Sequence, residues 1–291
     1  MVTVACQAMA TRFEIVLHGE NESGLRATGE EALAEIEKLE DQLSLYRPSS
    51  EIAHVNARAA AGPVRVTPSL FALLIEARRL HDLTDGAFDI TIAPLVRCWG
   101  FMGGQGRMPR QEDVEIAQRL VGMRQIELNE QELTVRFARE GVMIDLGAIG
   151  KGYAIERAAE VLRENGVTSA LLHGGTSTVY AIGHPPDAKH WDIALDQPPI
   201  STIPPVIQLR DEALSVSAIS GRSFQMNGKL YGHVLDPRTG YPANATLLAV
   251  VLSPSATETD ALSTALLISG RLPAGIKTLT VSELGVERNW E

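Results

Sequence analysis

The chain has 291 residues, 45% of them hydrophobic, and a formal net charge of −10. That is enough apolar residue for one large or two smaller globular units, and the acidic balance argues against a general nucleic-acid binder. The only two cysteines, Cys6 and Cys98, have no His or Cys at zinc spacing, and no apolar run of about 18 residues marks a membrane span.

The first nine residues lack a basic stretch followed by a long apolar core, so they do not read as a secretory signal and predict a cytoplasmic protein. Thr11–Leu17 alternates polar and apolar, as a half-buried strand does. Residues 24–43 are rich in Ala, Glu and Leu at helical spacing and predict a surface helix. Pro48 blocks its continuation. Residues 50–56 read as a short turn whose Glu51 and Asn56 either line a pocket or cap backbone groups.

A second helix is predicted over 69–83, with Leu70, Leu73, Leu74, Ala77 and Leu80 on one face. Asp85-Gly86 then forces a turn, and Asp85 and Asp89 either accept hydrogen bonds from a ligand or close simple Asx turns. Residues 94–101 bring an apolar patch with Trp99 and Phe101, and 103–112 read as a flexible loop. A hairpin is predicted at 126–128 and 133–135.

The stretch Ile144-Asp145-Leu146-Gly147-Ala148-Ile149-Gly150-Lys151-Gly152-Tyr153 reads as the end of a buried strand, a glycine-rich turn and a helix start. Gly147, Gly150 and Gly152 allow close backbone approach to a ligand, and Lys151 opens the helix beside that gap. An ordinary strand-to-helix connection with a solvated lysine fits the same residues. The stretch is no Walker A loop, because Gly152 replaces the required Ser or Thr, and it lacks the Gly-x-Gly-x-x-Gly dinucleotide spacing. Gly166 after Asn165 stops the helix. Beyond it, residues 169–180 predict a strand, a Gly-Gly turn and a second strand; 184–190 and 197–205 are proline-rich loops, and further strands are expected at 191–195, 213–217 and 247–252.

Two late segments carry more chemistry. Residues 231–236 predict a strand ending in an Asp-Pro corner, with His233, Asp236 and Arg238 close together. A histidine beside a carboxylate serves as a general base near neutral pH, or forms a satisfied structural pair. Residues 257–266 begin a helix on which Asp260 and Thr264 share a face. A carboxylate and a hydroxyl suit Mg²⁺; alternatively, Thr259 or Asp260 caps the helix. Absence of a repeat or linker favours one α/β or α+β unit over residues 1–291.

Together these segments resemble the FAD:protein FMN transferase (ApbE) family. The resemblance rests, in chain order, on Met9-Ala10-Thr11, Leu43-Ser44-Leu45-Tyr46 with Ser50-Glu51-Ile52, Thr84-Asp85-Gly86-Ala87-Phe88-Asp89, the stretch Asp145 to Tyr153, His173-Gly174-Gly175, His233-Val234-Leu235-Asp236-Pro237-Arg238-Thr239-Gly240, and Asp260-Ala261-Leu262-Ser263-Thr264-Ala265-Leu266. It implies an α+β fold similar to the tunnelling (T-fold) type, with mixed sheets and packed helices. It also implies Mg²⁺-dependent transfer of FMN from FAD to a Thr or Ser of an acceptor flavoprotein, with release of AMP. By motif position, Mg²⁺ would be held by the Ala148 carbonyl, Asp260 and Thr264. FAD would be contacted by Met9, Tyr46, Ala87, Phe88, Asp89, Asp145, Lys151 and Val234, and His233 would be the base toward the acceptor hydroxyl.

Four features depart from the family pattern. Ala10 stands where the family usually has Gly, Thr176 follows Gly174-Gly175 where Asp is usual, an export signal is missing, and the tail after Gly270 reads as short and irregular. Two other readings share the same pocket: an FAD pyrophosphatase releasing FMN and AMP, and a non-catalytic FAD-binding protein.

Overall fold

The computed structural model describes residues 1–104, 106–195, 206–219, 221–282 and 285–290. The chain opens with the hairpin β1 (Val2–Ala8) and β2 (Thr11–Leu17), followed by helices α1 (Glu22–Leu43) and α2 (Glu51–Arg58). Next come β3 (Val64–Arg65), α3 (Pro68–Leu83), α4 (Ala93–Cys98), α5 (Gln111–Gln118) and the hairpin β4 (Ile126–Asn129) and β5 (Thr134–Phe137). Helix α6 (Gly150–Glu164) leads into β6 (Ala170–Gly174), β7 (Thr178–Ile182), β8 (Trp191–Ala194), β9 (Val206–Leu209) and β10 (Ala213–Ala218). The last elements are β11 (Ser223–Met226), β12 (Lys229–Gly232), β13 (Leu248–Ser253), α7 (Ala256–Ser269), β14 (Lys277–Ser282) and β15 (Gly285–Arg288).

This is the α+β architecture expected. The main sheet has eight strands in the order β1-β2-β6-β7-β10-β13-β14-β15, and every pairing recorded among the described residues is antiparallel. Helices α1, α6 and α7 cover one face. The β8–β9 ribbon packs its Trp191, Ile207 and Leu209 against Leu214, Val250 and Leu279 on the other. Strand β13 is therefore buried on both sides: Ala249 and Val251 join the helix-side core, while Leu248, Val250 and Leu252 join the ribbon side. Its unbroken Leu-Ala-Val-Val-Leu run follows from that double burial. Helix α7 is buried nearly all round, because it lies on the sheet and also packs against α6 and α3.

Several expectations are corrected. Residues 50–56 are not a turn but the start of α2, whose cap Ser50 accepts from the Ala53 amide at 2.9 Å. The tail after Gly270 is not irregular, since β14 and β15 complete the sheet. The expected loop at 103–112 is shorter at both ends, since Gly103 closes a 3₁₀ turn (Phe101–Gly103) and Gln111 opens α5. The expected loop at 197–205 lies outside the described residues.

The most instructive correction concerns 144–146, which form no strand. Asn56 on α2 acts as a surrogate partner: its Oδ1 accepts from the Ile144 amide at 2.8 Å and its Nδ2 donates to the Ile144 carbonyl at 2.9 Å. The Asp145 amide donates to the Ile90 carbonyl at 2.7 Å. An apolar run thus enters the core without a neighbouring strand, and Asp145 is tied to the turn carrying Ala87-Phe88-Asp89. Replacing Asn56 with Ala leaves the two Ile144 groups unsatisfied beside a buried side chain. Asn56→Ala is expected to lower unfolding free energy by about 2 kcal/mol, measured by urea denaturation.

Candidate active site

Where α6 begins, its cap residue Ile149 has no side-chain acceptor to offer the exposed amides of the first turn. The acceptor comes instead from α7: Asp260 Oδ2 accepts from the Gly152 amide at 3.0 Å. The two helices can approach this closely only because residue 152 has no side chain. A Cβ there would sit 2.1 Å from the Ala256 carbonyl oxygen and 2.7 Å from the Asp260 Cβ. Asp260 is 4% exposed, so it is part of the packed interior and not a surface ligand position. Its own helix is capped by Ser255, which accepts from the Glu258 amide; neither Thr259 nor Asp260 has that task.

Lys151 projects from the same turn. Its Nζ lies 3.7 Å from Asp260 Oδ1 and donates to the Gly147 carbonyl at 3.4 Å. Thr264, one turn along α7, is held beside Ser217 of β10, whose Oγ lies 3.4 Å from Thr264 Oγ1 and 2.9 Å from Ser263 Oγ. Asp145 accepts from the Gly147 amide at 2.8 Å. Burial pushes its carboxyl above the usual range, against the pull of that amide and of the Arg222 and Lys151 charges.

His233 lies just past β12, and the anticipated pairing with Asp236 does not form. Asp236 is occupied by Arg238, which donates to both carboxylate oxygens at 2.8 and 2.9 Å. The imidazole is fixed from the other side: Nδ1 lies 3.0 Å from the Arg222 carbonyl, while the His233 amide donates to the same oxygen at 2.9 Å. A carbonyl only accepts, so the proton belongs on Nδ1 and the free lone pair on Nε2. Gly221 closes against the ring, since a Cβ there would stand 2.8 Å from Cε1. Burial, then the Arg222 charge, holds the imidazole below its ordinary value of 6.5, with Lys151 acting in the same sense.

These groups face one cavity of about 1120 Å³. Tyr46, Ala87, Phe88, Asp89, Asp145, Ala148, Lys151, His233, Val234, Asp260 and Thr264 all line it. Tyr46 stands at the mouth, 60% exposed. The Asp89 carboxylate is already engaged by the Thr91 amide at 2.7 Å, the Thr91 hydroxyl at 2.5 Å and His81 Nδ1 at 3.2 Å, so it braces the turn. Met9 is the exception: it packs against the helix-side core and is not among the lining residues. With Ala10 it forms the tip of the β1–β2 hairpin at φ of 49° and 59°. Left-handed backbone at both central positions favours glycine, which accounts for the family's usual residue where Ala10 stands. Thr176 lines the cavity and is exposed.

Arg222, Gly221 and Ser217 are wall residues that sequence reasoning missed. Ser217 was legible only as a polar residue in a predicted strand, and nothing local sets Gly221-Arg222 apart from any loop pair. Among the described residues, no cluster of three or more His, Cys, Asp or Glu side chains is placed to hold a metal ion, and no helix is long and apolar enough to cross a membrane.

The ApbE family model matches residues 9–287. A protein named FAD:protein FMN transferase from Haemophilus influenzae is 30% identical over 93% of this chain and 81% of its own length. One of the same name from Vibrio cholerae is 30% identical over 81% of this chain and 71% of its own. The crystal structure of the ApbE protein from Thermotoga maritima superposes with a TM-score of 0.89 at 28% identity, covering 99% of this chain and 96% of that one.

The His233 environment makes a direct prediction. In a pH titration followed by the NMR shift of its Cε1 proton, His233 is expected to protonate only below the ordinary imidazole range, leaving it neutral at pH 7.

Proposed function

The chain belongs to the ApbE family, and on that premise we propose that it transfers the FMN half of FAD to a serine or threonine hydroxyl of an acceptor protein. The observation that carries this reading is the pairing, across one cavity, of a neutral imidazole whose Nε2 is free with a cationic helix start at Lys151. Attack by a hydroxyl on a phosphorus needs a base for the hydroxyl proton and positive charge at the diphosphate.

In the proposed step the acceptor oxygen bonds to the FMN phosphorus as the bond from that phosphorus to the bridging oxygen breaks. AMP leaves with that oxygen, and the hydroxyl proton passes to His233 Nε2. A positioned imidazole contributes about 10²–10⁴-fold by this route. Lys151 and the amides of the first α6 turn favour the anionic diphosphate.

The residues present fit a magnesium ion. Asp260 Oδ1 is buried, yet its nearest cation, Lys151 Nζ, is 3.7 Å away, beyond normal hydrogen-bond length. That oxygen, the Thr264 hydroxyl and the Ala148 carbonyl are an all-oxygen donor set of the kind Mg²⁺ takes. Magnesium bound by these three would supply charge neutralisation at the diphosphate.

Incubation of the protein with FAD, Mg²⁺ and an acceptor domain, followed by intact mass, tests the reading. It predicts an acceptor heavier by one FMN unit, with AMP released. Free FMN and AMP in the presence of several acceptors would instead identify a pyrophosphatase, and intact FAD a binding protein. Because Asp260 also caps α6 through Oδ2, Asp260→Asn is the informative substitution: the amide oxygen, turned to the place of Oδ2, still accepts from Gly152 while the charge is lost. The variant is expected to melt near the wild type and to lose Mg²⁺-dependent turnover by about 10²-fold or more.

A further inference from the structure

Arg222, in the connection between β10 and β11, lines the cavity with His233 and Asp145. It is the only arginine among the lining residues described. Several arginines elsewhere are spent on carboxylates, as in Arg79 with Glu76 and Glu258, Arg110 with Asp113 and Arg238 with Asp236. Among the described residues Arg222 has no such partner, although four aspartates, Asp89, Asp145, Asp192 and Asp260, line the same cavity. Lys151, the other permanent cation of the wall, has Asp260 at 3.7 Å. The unspent positive charge is therefore on Arg222.

Its backbone is also fixed. The Arg222 carbonyl accepts from both the amide and the ring of His233, so the loop cannot shift without moving the imidazole. Its exposed side chain starts from this anchored backbone and lines the cavity beside the group assigned as base. Its charge favours the neutral form of His233 and the ionised form of Asp145, although burial still leaves the Asp145 carboxyl above its ordinary range. A guanidinium fork matches paired phosphate oxygens, as a lysine ammonium does not.

We propose that Arg222 is a diphosphate-binding residue of this cavity, its guanidinium holding non-bridging oxygens of the dinucleotide on the His233 side. This assignment rests on the FMN-transferase reading and gives that site a second cation, separate from the α6 turn. It ties substrate binding to the base through one residue: the side chain holds the diphosphate while the main-chain carbonyl holds Nδ1. Loss of the side chain removes only the first of these.

The test is titration of FAD, and separately of ADP, into chelator-treated wild type, Arg222→Ala and Arg222→Lys. Melting temperatures are recorded to show that the exposed side chain is not needed for folding. Arg222→Ala is expected to weaken FAD about 10- to 100-fold and ADP by the same factor, since the two share only the adenosine diphosphate part. Arg222→Lys should lose less, keeping charge without the fork. An unchanged FAD affinity in Arg222→Ala would overturn the assignment. Loss of FAD affinity with ADP unchanged would place Arg222 against the flavin half and overturn it equally. Wild type that binds no FAD even after Mg²⁺ is restored would sink the transferase reading itself, a result distinct from either.

Discussion

The hydrogen bond from the Gly152 amide to the buried Asp260 carboxylate is the contact on which the rest of the site depends. It crosses two helices 108 residues apart in sequence, and it supplies α6 with the cap that Ile149 cannot. Without a side chain at residue 152 the first turns of α6 and α7 touch backbone to backbone. Lys151 and the α6 amides thereby come to rest beside the same carboxylate. A carboxylate so placed is costly to bury, and the amide and the nearby ammonium offset that cost only in part. The acceptor capacity left on Asp260 Oδ1 is what the proposed magnesium site would draw on.

The opposite wall is built on a different principle. His233 is held by no carboxylate; a backbone carbonyl sets its tautomer, and Gly221 gives the ring a flat seat. A carboxylate partner would favour the imidazolium, whereas burial first, and then the charges of Arg222 and Lys151, favour the neutral ring against the weaker pull of the carbonyl. A base that must accept a proton from a weakly acidic hydroxyl has to begin unprotonated, and this wall provides that. Between the two walls, Asn56 pins Ile144 so that Asp145 and the turn at Ala87-Phe88-Asp89 line the floor.

Much of the scaffold was legible in the residues. Helical spacing located α1, α3 and α6, and alternation located β2 and the hairpin β4–β5, because those patterns record burial on one face. What failed was whatever depended on a distant partner. The 144–146 run looks like a strand because its side chains are apolar, yet its backbone partner is a side chain on α2. Nothing in the sequence of α7 reports that Asp260 is buried against α6 and caps its first turn, since Ser255 and not Asp260 caps α7 itself. Proximity in sequence also misled: Asp236 is three residues from His233 but faces Arg238. Arg222 carried no local sign at all. Tyr46, Ala87, Phe88, Ala148 and Val234 carry no chemical pattern of their own and were placed only by motif position in the family resemblance, while Met9, which it also supplied, packs away from the cavity.

A crystal structure of the protein with FAD and Mn²⁺, the latter located by its anomalous signal, tests the central arrangement most directly. The account predicts the diphosphate between Lys151 and His233 and an anomalous peak within coordinating distance of Asp260 and Thr264. FAD bound with its diphosphate outside this cavity, or a cation held away from Asp260, would contradict it.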